Sequence, residues 1–334
     1  MNTVLRNSRP YLPLIAAALT ILVWSSAFSA FAYGLQAFSP AELALFRFAI
    51  ASAVLLVPVS LGWIKLPPRR DWPAVMVLGL LGMTIYQLAF GYALTRVAAG
   101  AVAVVLALAP GVTSALAALR LGERLNARMV SGLAVAFAGT LLVTLGSGRA
   151  MHFEPMVLLV LVSVLVTSIY FVWQKPLLAR TTPLGFTAAS IFAGTLGLVP
   201  FGLHLPEKLL VASTPQLLSA LYLGIAPTVL GYLLWNWALS RAPASTITSF
   251  LYAQPLLASV IAWLWLGQTL SALAIAGGAT GGSAALGAGA GAADAALGAA
   301  SAPSTSPLVT RPSRPLPATS AGPRAASTPM QPAE

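Results

Sequence analysis

The sequence predicts an all-α, polytopic membrane protein of about ten transmembrane helices, built as two inverted five-helix repeats. Three observations lead there. Of 334 residues, 58% are hydrophobic and only 7% are charged, against roughly 25% charged in an ordinary soluble domain. Apolar runs long enough to span a bilayer follow one another with short connections. The chain also matches itself at an offset of 145 residues.

The composition excludes several classes at once. Mean hydropathy is +0.87, and a soluble fold so poor in charge would expose large apolar patches. Cysteine is absent, so disulfides and thiolate metal sites are ruled out. Two histidines (His152 and His204) and seven acids leave little material for a metal site or a metalloenzyme, and no cofactor is implied. The formal charge of +11 does not point to nucleic acid as a partner, because the bases sit singly or in short clusters between apolar runs. The lipid bilayer is the partner that this composition fits.

Apolar runs of roughly 17–25 residues are read as spanning helices. They fall at 11–34, 40–62, 73–95, 98–119, 128–147, 156–174, 184–204, 216–238 and 243–266. A tenth segment starts at Ser271 and soon turns into Ala and Gly, which gain little from lipid and weaken a helix. From Ala302 the chain is rich in Pro, Ser, Thr, Ala and Arg, so 302–334 reads as a disordered tail. Arg6, Arg9 and the first apolar run resemble a secretory signal, but further spanning segments follow instead of a soluble domain. Residues 1–10 are therefore read as a cytoplasmic N-terminus leading into the first spanning helix. The first repeat is placed at 11–147 and the second at 156–293 with a degraded last helix.

Charge sets the orientation. With the N-terminus in the cytoplasm, the inside segments hold Arg6, Arg9, Lys65, Arg69, Arg70, Arg120, Arg124, Arg128, Lys175, Arg180 and Arg241. The outside loops hold Arg96, Arg149 and Lys208. This distribution satisfies the positive-inside rule, and the opposite orientation violates it. A multi-pass protein of the inner membrane with both termini in the cytoplasm is the expectation.

The self-match is specific. Tyr92-Ala93-Leu94-Thr95-Arg96 lies over Trp237-Ala238-Leu239-Ser240-Arg241, Pro110 over Pro255, and Ser114 over Ser259. Leu121-Gly122-Glu123-Arg124-Leu125 lies over Leu266-Gly267-Gln268-Thr269-Leu270. From Leu88 to Leu125, 13 of 38 positions are identical to their counterparts. Five helices per repeat is an odd number, so the second repeat enters the membrane upside down. Inverted repeats are a common construction of secondary transporters. Arg96 then falls outside while its counterpart Arg241 falls inside.

The same residues carry a family resemblance. Trp24-Ser25-Ser26-Ala27-Phe28, Ser39-Pro40-Ala41-Glu42 leading to Arg47-Phe48, Tyr92-Ala93-Leu94, the two proline-bearing helices and the two Leu-Gly-Glu/Gln-x-Leu turns recur in order. Over residues 11–276 the chain resembles the EamA-type, ten-helix branch of the drug/metabolite transporter superfamily. The resemblance implies a cavity between the two halves and export of a small-molecule substrate such as an amino acid, metabolite or drug. The alternative is a non-transporting membrane sensor or assembly protein that keeps the fold. A homodimer is left open. The expected bulky aliphatics are missing after Gly277-Gly278, which motivates the hypothesis of a reading-frame slip near 276–281. Resequencing the gene tests it; an intact frame with no hydrophobic continuation in another frame would sink the idea.

Several side chains are candidates for function. Arg47 lies about seven residues into the second helix, where an unpaired cation costs roughly 2.5–3.5 kcal/mol. It either binds an anionic substrate group or is structural. Five residues separate it from Glu42, about 140° on an ideal helix, which makes a direct pair poor. Glu42 is a candidate coupling acid, or simply a first-turn acid after Pro40 favoured by the helix dipole. Pro110 and Pro255 interrupt their helices at matched depth, freeing carbonyls at Leu106 and Leu251 for a hinge or a cavity lining, or forming a kink compensated by packing. Trp24, Tyr86, Asn236 and Gln254 are the polar and aromatic side chains chosen as cavity lining. Neither a His-Glu-x-x-His pair, a phosphate-binding Gly-rich loop nor an intramembrane carboxylate pair is present, so the chain does not read as an enzyme.

Overall fold

The computed structural model describes residues 11–97, 105–123 and 155–266, with isolated positions at 102 and 125 and scattered ones between 127 and 138. Every regular element among the described residues is helical. Segment α1 is Leu12–Gly34, α2 Pro40–Ser60, α3 Arg69–Leu94 and α4 Ala109–Leu121. Then come α5, Val157–Leu178, α6, Pro183–Phe201, α7, Thr214–Leu239, and α8, residues 244–266. Seven of these are long and apolar enough to cross a membrane; α4 is shorter. The predicted fifth span, the tenth segment, the N-terminal ten residues and the tail lie outside the described residues, apart from scattered helical positions between 127 and 138.

Local sequence explains the helix starts. Ser39 caps α2 reciprocally: its hydroxyl accepts from the Glu42 N–H at 3.3 Å, and the Glu42 carboxylate accepts from the Ser39 N–H at 2.8 Å. Pro40 sits in the first turn, where no N–H is needed. Thr182 caps α6 ahead of Pro183, and Ser213 with Gln216 caps α7 ahead of Pro215. At the other end of α6 the sequence extends the span to 204. The structure stops it at Phe201, and a short helix, Leu205–Val211, follows Gly202.

Two departures from α-helical geometry mark the interior. Leu80–Ile85 in α3 and Gly224–Gly231 in α7 are π-helical, and the 145-residue offset lays the first segment inside the second. A π turn inserts an extra residue and leaves backbone groups open to side chains. The α-helix also breaks ahead of both prolines, at a turn over 107–108 before Pro110 and at a 3₁₀ turn, Phe250–Ala253, before Pro255.

Packing is close where side chains are small. A Cβ on Gly79 would lie 2.7 Å from both the Ala193 Cβ and the Ser190 carbonyl oxygen, so α3 and α6 touch through their backbones. Trp235, Tyr170, Phe48 and Phe186 fill the centre. Leu19, Leu22, Leu56, Leu158, Leu165 and Leu196 point outward, as the surface of a protein in hydrocarbon requires. Contacts of Asp71 with Arg180, of Glu123 with Lys175 and the Ala244 N–H, and of Gly185 with the Lys65 carbonyl bring Lys65, Arg69, Arg70, Arg120, Lys175, Arg180 and Arg241 to one end of the bundle. There Arg180 pairs with the buried Asp71 at 2.9 Å.

Candidate functional site

Arg47 defines the site. It is 7% exposed in the middle of the bundle, and no carboxylate pairs with it among the described residues. Its Nε donates to the Thr228 hydroxyl at 3.0 Å, and that hydroxyl donates to the Leu223 carbonyl at 2.8 Å. The five-residue step from Leu223 to Thr228 is the π turn of α7. The irregularity thus turns a threonine inside an apolar run into the anchor of a buried cation.

Aromatic side chains surround this cation. Its guanidinium carbon is 5.4 Å from the Phe48 ring centroid, and the Tyr86 and Tyr232 phenols lie within electrostatic range. Trp24 donates from Nε1 to the Pro227 carbonyl at 2.9 Å, another group of the π segment. Its ring lies 5.3 Å from Tyr232 edge-on and 5.0 Å from Trp235. Tyr86 stacks on Phe90 at 5.8 Å, and Gln87 lies beside the Tyr232 hydroxyl. Helices α1, α2, α3 and α7 therefore bring together a fixed positive charge, phenol hydroxyls and aromatic faces. Such a set suits a small molecule with an anionic group and an apolar or cationic remainder.

The sequence candidates divide. Arg47, Trp24 and Tyr86 come together here. Asn236 belongs to a neighbouring polar cluster, donating from Nδ2 to the Thr187 hydroxyl at 2.8 Å, with Tyr170 and Ser190 alongside. Gln254 meets α1 through its backbone, where its carbonyl accepts from the Ser25 hydroxyl at 3.3 Å. Pro110 and Pro255 stand in the first turns of helical segments after their breaks rather than in helix interiors. Glu42 is occupied in the Ser39 capping box. Because a glutamine carbonyl can accept the same Ser39 N–H, Glu42→Gln is expected to leave substrate flux in vesicles within about twofold. Loss of flux at normal folded yield would place Glu42 in coupling instead.

Sequence reasoning overlooked Thr228 altogether. A lone Thr among Gly, Ile, Ala, Pro, Val and Leu carries no signal until the π turn aims it. An apolar groove lined by Leu12, Ile15, Leu19, Leu184, Leu233 and Trp237 opens on the outer surface between α1, α6 and α7 and holds none of the candidates.

Comparisons with known proteins agree with this architecture. The EamA-like transporter family matches twice, over residues 12–145 and 154–288, so the second match extends past residue 276, the end of the resemblance read from the sequence. A protein of Streptantibioticus cattleyicolor, named a probable terminal-alkyne amino-acid exporter, is 34% identical over 80% of this chain and 89% of its own length. A Salmonella typhimurium protein named a probable amino-acid metabolite efflux pump is 25% identical over 78% of this chain and 89% of its own. A solved crystal structure at 22% identity superposes with a TM-score of 0.70, covering 86% of this chain and 99% of the other, which shows the same fold. Buried aromatic and cationic groups inside a lipid-facing helical shell, together with the doubled family match, identify this chain as a member of the EamA-like transporter family of the drug/metabolite transporter superfamily, a multi-pass membrane transporter of small metabolites.

Proposed function

We propose that this protein exports an amino acid or a close amino-acid metabolite by alternating access through a cavity between its two repeats. The observation that carries the reading is Arg47, a buried cation tied to a π turn, with aromatic faces around it and no carboxylate partner among the described residues. In this reading the substrate carboxylate takes the remaining guanidinium donors as a fork, which arginine geometry favours. The substrate's apolar part packs on Trp24 and Tyr86, and its ammonium meets aromatic faces. The names of the two relatives support the amino-acid class. The breaks before Pro110 and Pro255, at matched positions, are natural hinges for rocking one half against the other. Energy comes from an ion gradient in this scheme, and the basic end of the bundle faces the cytoplasm, as the positive-inside rule requires.

The test is accumulation of radiolabelled apolar amino acids in inverted membrane vesicles, with and without an ionophore. Saturable, ionophore-sensitive uptake is expected. Absence of saturable uptake across a panel of neutral amino acids and their N-acyl or alkynyl derivatives, at verified protein levels, would remove the amino-acid reading.

A further inference from the structure

At the basic end of the bundle, α4 closes with Gly122 in the left-handed conformation at φ 68°. The Glu123 N–H returns to the Ala117 carbonyl at 3.3 Å. This turn carries Glu123 across to two other helices. Its Oε1 accepts from the Ala244 N–H at 2.7 Å and from the Lys175 ammonium at 3.2 Å. Its Oε2 accepts from the Ser245 N–H at 3.1 Å and from the Ser245 hydroxyl at 2.6 Å. The first N–H groups of a helix have no partner within it. The start of α8 is therefore capped by a side chain from the end of α4, and the same carboxylate holds the end of α5. Burial pushes the Glu123 carboxyl up, but Lys175, the Ser245 hydroxyl and the two N–H groups together hold it below the usual carboxylate range.

Polar side chains lie inward from this knot on the same three helices. Thr113 and Ser114 on α4, Gln174 on α5 and Thr246 on α8 are each no more than 1% exposed. The two threonine hydroxyls, the Ser114 hydroxyl and both polar atoms of Gln174 find no hydrogen-bond partner among the described residues. Helix α4 packs along both α5 and α8. Gln174 adjoins Lys175 and Thr246 adjoins Ser245, while Thr113 and Ser114 lie about 10–12 Å in from the Leu121 end of α4. Buried polar atoms without partners are unfavourable in a bundle that stays shut. They become favourable in one that opens to water along this seam.

We propose that Glu123 is the latch of the basic end: a positioning residue that holds α4 and α5 against α8, and whose release opens a hydrated path over Gln174, Thr246, Ser114 and Thr113. The proposal rests on the alternating-access reading. It adds the route by which that end opens and the side chain that keeps it closed. The corresponding residue of the second repeat is Gln268, which carries no charge, so an ion-paired latch is specific to the first repeat's turn.

The chain contains no cysteine, so a single introduced thiol is unique. Ser114→Cys is to be labelled with a membrane-impermeant maleimide in inverted vesicles and in intact cells, with Glu123 present and with Glu123→Ala. Labelling from the basic end is expected to rise about tenfold in Glu123→Ala, the change that a modest shift of a two-state equilibrium produces. Labelling from the opposite side should not rise. Glu123→Gln, which keeps acceptor capacity without the ion pair, should fall between. An unchanged rate from the basic end overturns the latch, and so does an equal rise from both sides, the sign of a loosened fold. If Glu123→Ala does not fold, Lys175→Met replaces it; a rise of about twofold is expected and no rise overturns the proposal. The labelling needs no substrate. Vesicles that open on one side but carry no amino acid would remove the substrate reading and leave the latch, and the converse result would remove the latch alone.

Discussion

Arg47→Ala is expected to lower kcat/KM for transport by at least about a hundredfold while leaving the amount of folded protein unchanged or higher. A charge-assisted hydrogen bond contributes about 1.5–3 kcal/mol, and a forked carboxylate contact supplies two of them. The same substitution removes a cation that costs roughly 2.5–3.5 kcal/mol to hold in the membrane. The Thr228 hydroxyl keeps its own bond to the Leu223 carbonyl, so α7 retains its π turn. Flux and stability should therefore separate. Arg47→Lys keeps the charge but loses the planar fork, and a loss of about tenfold is expected. Saturation kinetics in vesicles, alongside the melting temperature of the detergent-purified protein, check both quantities. If the melting temperature collapses together with flux, Arg47 is a structural brace and the substrate reading loses its main support.

Gly224→Val is expected to cause the largest loss of folded protein. A Cβ at this position would lie 2.8 Å from the Arg47 carbonyl oxygen and 2.8 Å from the Ile50 Cβ. One obstacle is backbone and the other is the stem of a β-branched side chain, so neither can swing aside. Overpacking typically costs about 1–3 kcal/mol, and here the strain falls where α2 meets the π segment of α7. Moving these helices apart also lengthens the 3.0 Å bond from Arg47 to Thr228, so the surviving protein should transport poorly. Gly111→Ala is the control. Among the described residues nothing lies within 4 Å of a Cβ there, and alanine favours the helix by roughly 0.5–1 kcal/mol over glycine. Thermal denaturation of both variants tests the contrast; a Gly224→Val protein that melts with the wild type would mean that α2 and α7 are not held at this distance.

Much of the fold was legible because bilayer insertion is read from composition. A run such as Leu12–Gly34, without a single charge, has one stable place, and its length matches the hydrocarbon thickness. Helix starts were legible for a similarly local reason: Ser39-Pro40-Ala41-Glu42 holds its whole capping box within four residues. The candidate site was legible in part. Arg47 stood out because a cation in an apolar helix needs an explanation, and Trp24 and Tyr86 because their polar tips need partners. Asn236 drew notice for the same reason, yet Thr187 on α6 engages it.

Which segments enter the membrane, which end of the bundle carries the basic residues, and the 145-residue self-match are all written in the order of residues along the chain. All three follow from hydrophobicity, charge and residue identity along the chain. Tertiary structure alone decided which residues face one another. Thr228 reaches Arg47 because a π turn rotates α7 by an extra residue, and hydropathy does not register a rotation. Glu123 reaches Ala244, Ser245 and Lys175 because a left-handed glycine folds the end of α4 over its neighbours. Those partners lie 52 to 122 positions away in the chain, and only the packing of the helices brings them together.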